Sequence, residues 1–255
     1  MIAPRSGTLT IGITAPASAF YAMLTTRFLG SLLLFSASLT ARAQAPVADW
    51  ANLARYAEAN QRLPAPSAGR PRVVLMGNSI TDSWPKTDSA FFAGNAYEYL
   101  GRGISGQVSG QMLLRLWPDV IALQPKVVVI LSGTNDIAEN GGPYSPEATM
   151  HNIMAMTELA RAHGIRVVLC SVLPAYDFWW RKGLQPAPKI VALNQQIRAY
   201  AAQQHLVYLD YHTTMADARQ GLPATLAPDG VHPSLAGYHV METLLLRATA
   251  EALKR

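Results

Sequence analysis

Lys126-Val127-Val128-Val129-Ile130-Leu131-Ser132 reads KVVVILS. Four β-branched residues and a leucine follow one another with no polar residue between them. A strand with one wet face alternates apolar and polar side chains. A strand covered on both faces does not, and that is the pattern of a parallel sheet. The stretch Ile165-Arg166-Val167-Val168-Leu169-Cys170-Ser171 reads the same way. Three shorter apolar runs, at 72–77, 96–101 and 206–210, complete a set of five expected strands.

Helical patterns separate these runs. Residues 110–124 place Met112, Leu113, Leu116, Val120 and Ile121 at helical spacing. Residues 146–163 open with Ser145 as cap and Glu147 in the first turn, and Gly164 closes them. Residues 188–204 and 234–253 are also amphipathic. Upstream, residues 48–63 carry Leu53, Tyr56 and Ala57 on one expected helical face, ended by Pro64 and Pro66. Strands alternating with helices imply an α/β domain, with helices on both faces of a parallel sheet. Ligands of such sheets bind at the carboxyl ends of the strands.

The first 45 residues are a separate object. Arg27 precedes an apolar run from Phe28 to Leu39, and small residues follow at Ala41, Ala43 and Ala45. That is the plan of a secretory signal peptide, with cleavage near Ala43 or Ala45 and a single domain over 46–255. Met23 is an alternative start. The run is short for a membrane span, so no stable insertion is expected after cleavage; an uncleaved membrane anchor is the competing reading. The segment holds Arg5, Arg27 and Arg42 and no acid; removing these three from the chain's +5 leaves +2. With no Lys/Arg-rich run left, nucleic acid is not an expected partner. Cys170, the single cysteine, has no internal disulfide partner and reads as a buried thiol. Export without disulfides fits a bacterial periplasm or exterior.

The expected strand tips carry the chemistry. After the first comes Gly77-Asn78-Ser79-Ile80-Thr81-Asp82-Ser83-Trp84. A glycine before the serine allows a sharp turn that leaves the Ser79 hydroxyl and N–H facing the cleft; a capping serine is the plainer reading. After the second comes Gly101-Arg102-Gly103-Ile104-Ser105-Gly106, which matches G-x-G-x-x-G. The dinucleotide reading fails, because the next strand ends in Ser132-Gly133 without the required acid. What remains is a structural glycine turn or a donated N–H. After the third comes Gly133-Thr134-Asn135-Asp136, whose Asn135 amide is able to donate to an oxyanion. Near the C-terminus stands Asp229-Gly230-Val231-His232-Pro233. Asp and His three apart across a turn allow the carboxylate to hold one imidazole nitrogen while the other faces the cleft. The competing reading of this pair is metal ligation, helped by Asp210, His212 or His239. Its spacing matches no zinc signature, so no metal is expected.

These blocks, in this order, resemble the SGNH hydrolase superfamily, the GDSL-type esterases and lipases, from about Val73 to Ala248. The resemblance implies a flavodoxin-like three-layer α/β/α sandwich with about five parallel strands. It implies Ser79 as nucleophile, Asp229 and His232 as its partners, and the Ser79 N–H, Gly106 and Asn135 as oxyanion donors, with Gly103 the second choice for the glycine. One departure is Asn78, where the family usually has Asp; it keeps a local hydrogen bond but adds no charge. Ser79-Ile80-Thr81-Asp82-Ser83-Trp84 is similar to the subgroup of platelet-activating-factor acetylhydrolase-like and carbohydrate-acetyl esterases.

The implied reaction is ester hydrolysis through an acyl-enzyme, with no metal or organic cofactor. The expected substrate is a small-molecule or glycan ester, with short acyl groups and acetyl first. Trp84 and the run Tyr176-Asp177-Phe178-Trp179-Trp180-Arg181-Lys182 are the candidate contacts: Phe178, Trp179 and Trp180 as a sugar platform, Arg181 or Lys182 for an acid group. The same aromatics read equally well as packing under the following helix. An acetyltransferase acting on envelope glycans, a lysophospholipase or thioesterase, a non-catalytic carbohydrate-binding module and a flavin binder are the rival readings. The oligomeric state is not legible.

Overall fold

Five strands, β1 (Arg72–Gly77), β2 (Glu98–Gly103), β3 (Val127–Ile130), β4 (Arg166–Cys170) and β5 (Val207–Leu209), form the sheet of the computed structural model, which describes residues 49–94 and 96–255. Their order is β2-β1-β3-β4-β5 and every pairing is parallel. The expected signal peptide and its cleavage sites lie outside the described residues.

The helices are α1 (Ala57–Gln61), α2 (Ser79–Thr87), α3 (Ser89–Ala93), α4 (Ser109–Leu114), α5 (Leu116–Asp119), α6 (Thr134–Ile137), α7 (Pro146–Ala162), α8 (Pro186–Gln203), α9 (Tyr211–Met215) and α10 (Leu235–Lys254). Alternate strand residues feed two cores, as the two-residue period of a strand requires. Val74, Met76, Val128, Ile130, Val167 and Leu169 pack with residues of α4, α5, α7 and α8. Val73, Leu75, Val127, Val129, Val168 and Cys170 pack with residues of α2, α9 and α10. The result is the expected three-layer sandwich. Among the described residues no helix is long and apolar enough to cross a membrane.

Three expectations change. The helix expected over 48–63 is a 3-10 turn, Leu53–Tyr56, followed by the short α1, with no buried residue in either. Asn52 is left-handed and the Asp49 carboxylate accepts from the N–H groups of Leu53 and Ala54, so the chain turns there. The helix expected over 110–124 breaks into α4, α5 and a 3-10 turn. Pro118 has no N–H for the Leu114 carbonyl, and its ring crowds that turn. The second strand runs two residues further than expected, so Gly101 and Gly103 lie inside it. A Cβ on Gly103 would come within 2.1 Å of the Asp82 backbone nitrogen, and one on Gly101 within 2.8 Å of Pro85. These glycines let α2 lie against β2. They do not form a phosphate loop.

The strand order reverses between β1 and β3, which makes the carboxyl ends of these two strands the switch point where such folds bind ligands. Ser79 follows β1 and Asn135 follows β3.

Candidate active site

Ser79 is the first residue of α2, so its N–H is one of the helix's unpaired leading donors. The cap is Asn78: its side chain accepts from the Ile80 N–H at 3.1 Å. The turn demands the preceding glycine, because a Cβ on Gly77 would lie 2.0 Å from Thr81 Oγ1. Asn78 thus keeps the local hydrogen bond expected of it.

Ser79 Oγ lies 2.9 Å from His232 Nε2, and His232 Nδ1 lies 2.6 Å from Asp229 Oδ2. A carboxylate only accepts, so Nδ1 carries a proton, and in the neutral form of the ring Nε2 accepts from the serine hydroxyl. The other Asp229 oxygen accepts from the N–H groups of Val231 (2.9 Å) and His232 (2.7 Å). Burial pushes the Asp229 carboxyl up, but the imidazole and these N–H groups outweigh it and hold it below its ordinary value. Gly230, left-handed at φ +78°, lets the loop fold back on its own carboxylate.

Gly106 is left-handed at φ +80°, on the turn after β2. Asn135 lies in α6, buried, and its Nδ2 donates to the Gln107 carbonyl at 2.9 Å. An amide nitrogen carries two N–H groups, so one remains. Ser79, Gly106, Asn135 and His232 line one cavity of about 400 Å³ with Ser83, Ser105, Asn140, Trp179 and Trp180.

A buried polar network supports this wall. The Arg115 side chain, 0% exposed, donates from Nη2 to the Gly77 carbonyl (2.8 Å), from Nε to Gln107 Oε1 (2.5 Å) and from Nη1 to Asp119 (3.1 Å). One guanidinium therefore ties the turn before Ser79 to the residue after Gly106. Asp136 takes the N–H and hydroxyl of Ser109 and anchors the far end of the Gly106 loop; burial raises its pKa.

The expected substrate residues divide. Trp179 is 62% exposed at the rim of the cavity, and the Trp180 ring lies 6.5 Å from the His232 ring. Trp84 is not a substrate contact. It is buried between α2 and α10, stacked on Tyr238, with its N–H donated to Glu242. Phe178 is fully buried and serves as a stacking floor for Trp180. Arg181 donates to the Glu139 carbonyl and Lys182 lines no wall of the cavity. A platform needs exposed ring faces, and of Phe178, Trp179 and Trp180 packing leaves them to Trp179 and, in part, to Trp180.

The helpers of the competing metal reading do not gather at His232. Asp210 pairs with Arg198 and caps Thr213, and His212 is buried with a lowered pKa caused by burial. His239 lies with Asp88 and Glu242, ligand-type atoms within 4.8 Å, but these already pair with one another and with Trp84. Burial likewise pushes the Cys170 thiol up, as expected of an inert thiol.

Sequence reading missed Arg115, Gln107 and Asn140. Arg115 left a trace, a lone charge inside the apolar run Met112-Leu113-Leu114-Arg115-Leu116-Trp117. Asn140 left none.

Fold and site together are those of an α/β carboxylic ester hydrolase. The profile of the GDSL-like Lipase/Acylhydrolase family matches residues 75–240, and the chain belongs to that family. A chain of known structure from Bacteroides fragilis is 46% identical, with a TM-score of 0.78 over 80% of this chain and 99% of that one. A GDSL-like lipase from Bacteroides thetaiotaomicron is also 46% identical, with a TM-score of 0.76 over 79% and 98%. An acetylxylan esterase from Xylanibacter ruminicola is 24% identical over 220 residues; the match covers 73% of this chain but only 44% of that longer relative.

Proposed function

We propose that the chain is a serine esterase that removes short acyl groups, acetyl first, from a saccharide. The observation that carries this reading is the continuous hydrogen-bonded line Ser79–His232–Asp229 at the switch point of the sheet. His232 Nε2 takes the hydroxyl proton as Ser79 Oγ attacks the ester carbonyl, and Asp229 stabilises the imidazolium that forms. The carbonyl oxygen becomes an oxyanion and is met by the N–H groups of Ser79 and Gly106 and the free N–H of Asn135. Collapse breaks the ester C–O bond, and the proton on His232 goes to the departing alkoxide. Water, deprotonated by the same imidazole, then releases the acyl group as a carboxylic acid and restores Ser79.

Two features favour a small acyl group on a sugar. The cavity is about 400 Å³, and the hydroxyls of Ser83 and Ser105 border it near Ser79, where a long alkyl chain would desolvate them. Trp179 presents an exposed ring at the rim, the geometry on which a sugar face stacks. The acetylxylan esterase relative is consistent with this choice. Residues 46–255 are the proposed mature unit, exported and released by cleavage near Ala43 or Ala45.

The test is a panel of acetylated glycans and acyl nitrophenyl esters of rising chain length, run on wild type and Ser79→Ala. Ser79→Ala should lose about 10⁴-fold or more in kcat and stay folded. Wild-type rates in Ser79→Ala would end the assignment, and a preference for long chains would end the acetyl reading.

A further inference from the structure

We propose that Asn140 is a positioning residue for the Asn135 amide, and that Trp180 and Arg181 are the struts that hold Asn140 in place. This rests on the reading of Asn135 as an oxyanion donor and adds what aims it.

Asn140 Nδ2 donates to Asn135 Oδ1 at 2.8 Å, while Asn135 Nδ2 donates to the Gln107 carbonyl at 2.9 Å. The Asn135 amide is thus held by a donor on its oxygen and an acceptor on its nitrogen. Turned by 180°, it would set oxygen against oxygen and nitrogen against nitrogen. Only the observed orientation leaves an N–H for the cavity. Gln107 alone supplies half of that restraint. Asn140 supplies the other half, from a turn that the chain does not adopt freely. Its neighbour Glu139 is left-handed at φ +58°, a conformation that survives at a non-glycine residue only where the surroundings enforce it.

The surroundings are the aromatic segment. Trp180 Nε1 donates to Asn140 Oδ1 at 3.1 Å, and Arg181 Nη2 donates to the Glu139 carbonyl at 3.0 Å. The Asn140 N–H is itself tied to the Asn135 carbonyl at 3.0 Å. Asn140 therefore accepts from Trp180 and donates to Asn135, so one line of hydrogen bonds runs from the aromatic wall beside His232 to the oxyanion donor. Trp180 in turn rests on the buried Phe178, with ring centres 4.9 Å apart. Residues that sequence suggested for gripping substrate act here through a neighbour.

The test uses Asn140→Ala and Asn140→Asp in the full chain, with 4-nitrophenyl acetate as probe. Asn140→Asp keeps the size and the Trp180 bond but has no hydrogen to give Asn135. It therefore separates aiming from filling, and it carries the test if Asn140→Ala does not fold. Both variants should lose ~10- to 100-fold in kcat, on the scale of a misplaced catalytic group, with KM within about threefold. Trp180→Phe, which keeps the ring and loses the N–H, should show a smaller fall in kcat of the same kind. Wild-type kcat in folded Asn140→Asp, or an effect confined to KM, would each overturn the proposal. Ser79→Ala run alongside separates the two levels. If it is inactive while Asn140→Asp is not impaired, this inference fails and the site stands. If it is active, the site reading itself fails.

Discussion

The two walls of the cavity are built in opposite ways. The His232 wall is one short loop. Its carboxylate and imidazole are three residues apart, both about a third exposed, and the Asp229 carboxylate folds the loop onto itself through two backbone N–H groups. The Ser79 wall is assembled from three strand ends, and beneath it lies a guanidinium that no solvent reaches. The first wall draws its geometry from neighbours in sequence. The second draws it from Gly77, Gln107, Arg115 and Asp119, which meet only when the sheet and α4–α5 are packed. Chemistry should therefore be separable from stability on the first wall and inseparable on the second.

The largest break on the first wall should come from Asp229→Asn. Asparagine still accepts from the Val231 and His232 N–H groups, so the loop persists. It no longer demands a proton on Nδ1 and no longer balances the imidazolium, and kcat should fall about 10⁴-fold. The same variant sharpens the comparison by pH. Because the folded Asp229 carboxyl is held below its ordinary value, its contribution to stability is present above that value. It is lost as pH falls through the lowered one. The stability gap between wild type and Asp229→Asn, followed by thermal melts, should close in acid below about pH 3.8, the ordinary aspartate value. A constant gap would mean that the carboxylate charge contributes nothing.

On the second wall, Arg115→Met should cost about 3–5 kcal/mol in denaturant unfolding, because the Asp119 carboxylate, 1% exposed, is left without its ion partner. Turnover should fall with it, since the Gly77 carbonyl and Gln107 lose their common tie. A stable, fully active Arg115→Met would show that the wall needs no such support.

The smallest effect belongs to a site outside both walls. Burial and the nearby Asp88 carboxylate raise the Glu242 pKa, against the Trp84 N–H. A raised pKa means stability that is fully present below the unfolded value and is lost as pH rises through the folded one. Glu242→Gln keeps an acceptor for Trp84 and does not ionise. Its melting temperature relative to wild type should climb as pH rises above 4.5, the ordinary glutamate value. A flat difference would remove burial as the cause.

The difference between the walls also explains what was readable from the residues. KVVVILS announced a strand covered on both faces, because burial on two sides leaves no room for polar alternation. Asp229-Gly230-Val231-His232 announced a hydrogen-bonded pair, because three residues and a glycine suffice to close it. Ser145, Pro146 and Gly164 bounded α7 by local capping alone. In the last two cases the determining contacts lie within a few residues of chain; in the first the run of apolar residues declares its burial, although its partners β1 and β4 are distant in sequence. Tertiary structure decided the rest. Gly101 and Gly103 became strand residues because α2 needs the space above them. Trp84 and Phe178 went into the core while Trp179 stayed out, although all three are equally apolar in sequence. Arg115 found the Gly77 carbonyl 38 residues away. Asn140 met Trp180 across 40 residues of chain, and that meeting aims an amide whose identity, but not its orientation, is written at position 135. A side chain's chemistry is local, but which neighbour receives its hydrogen bond is a property of the packed molecule.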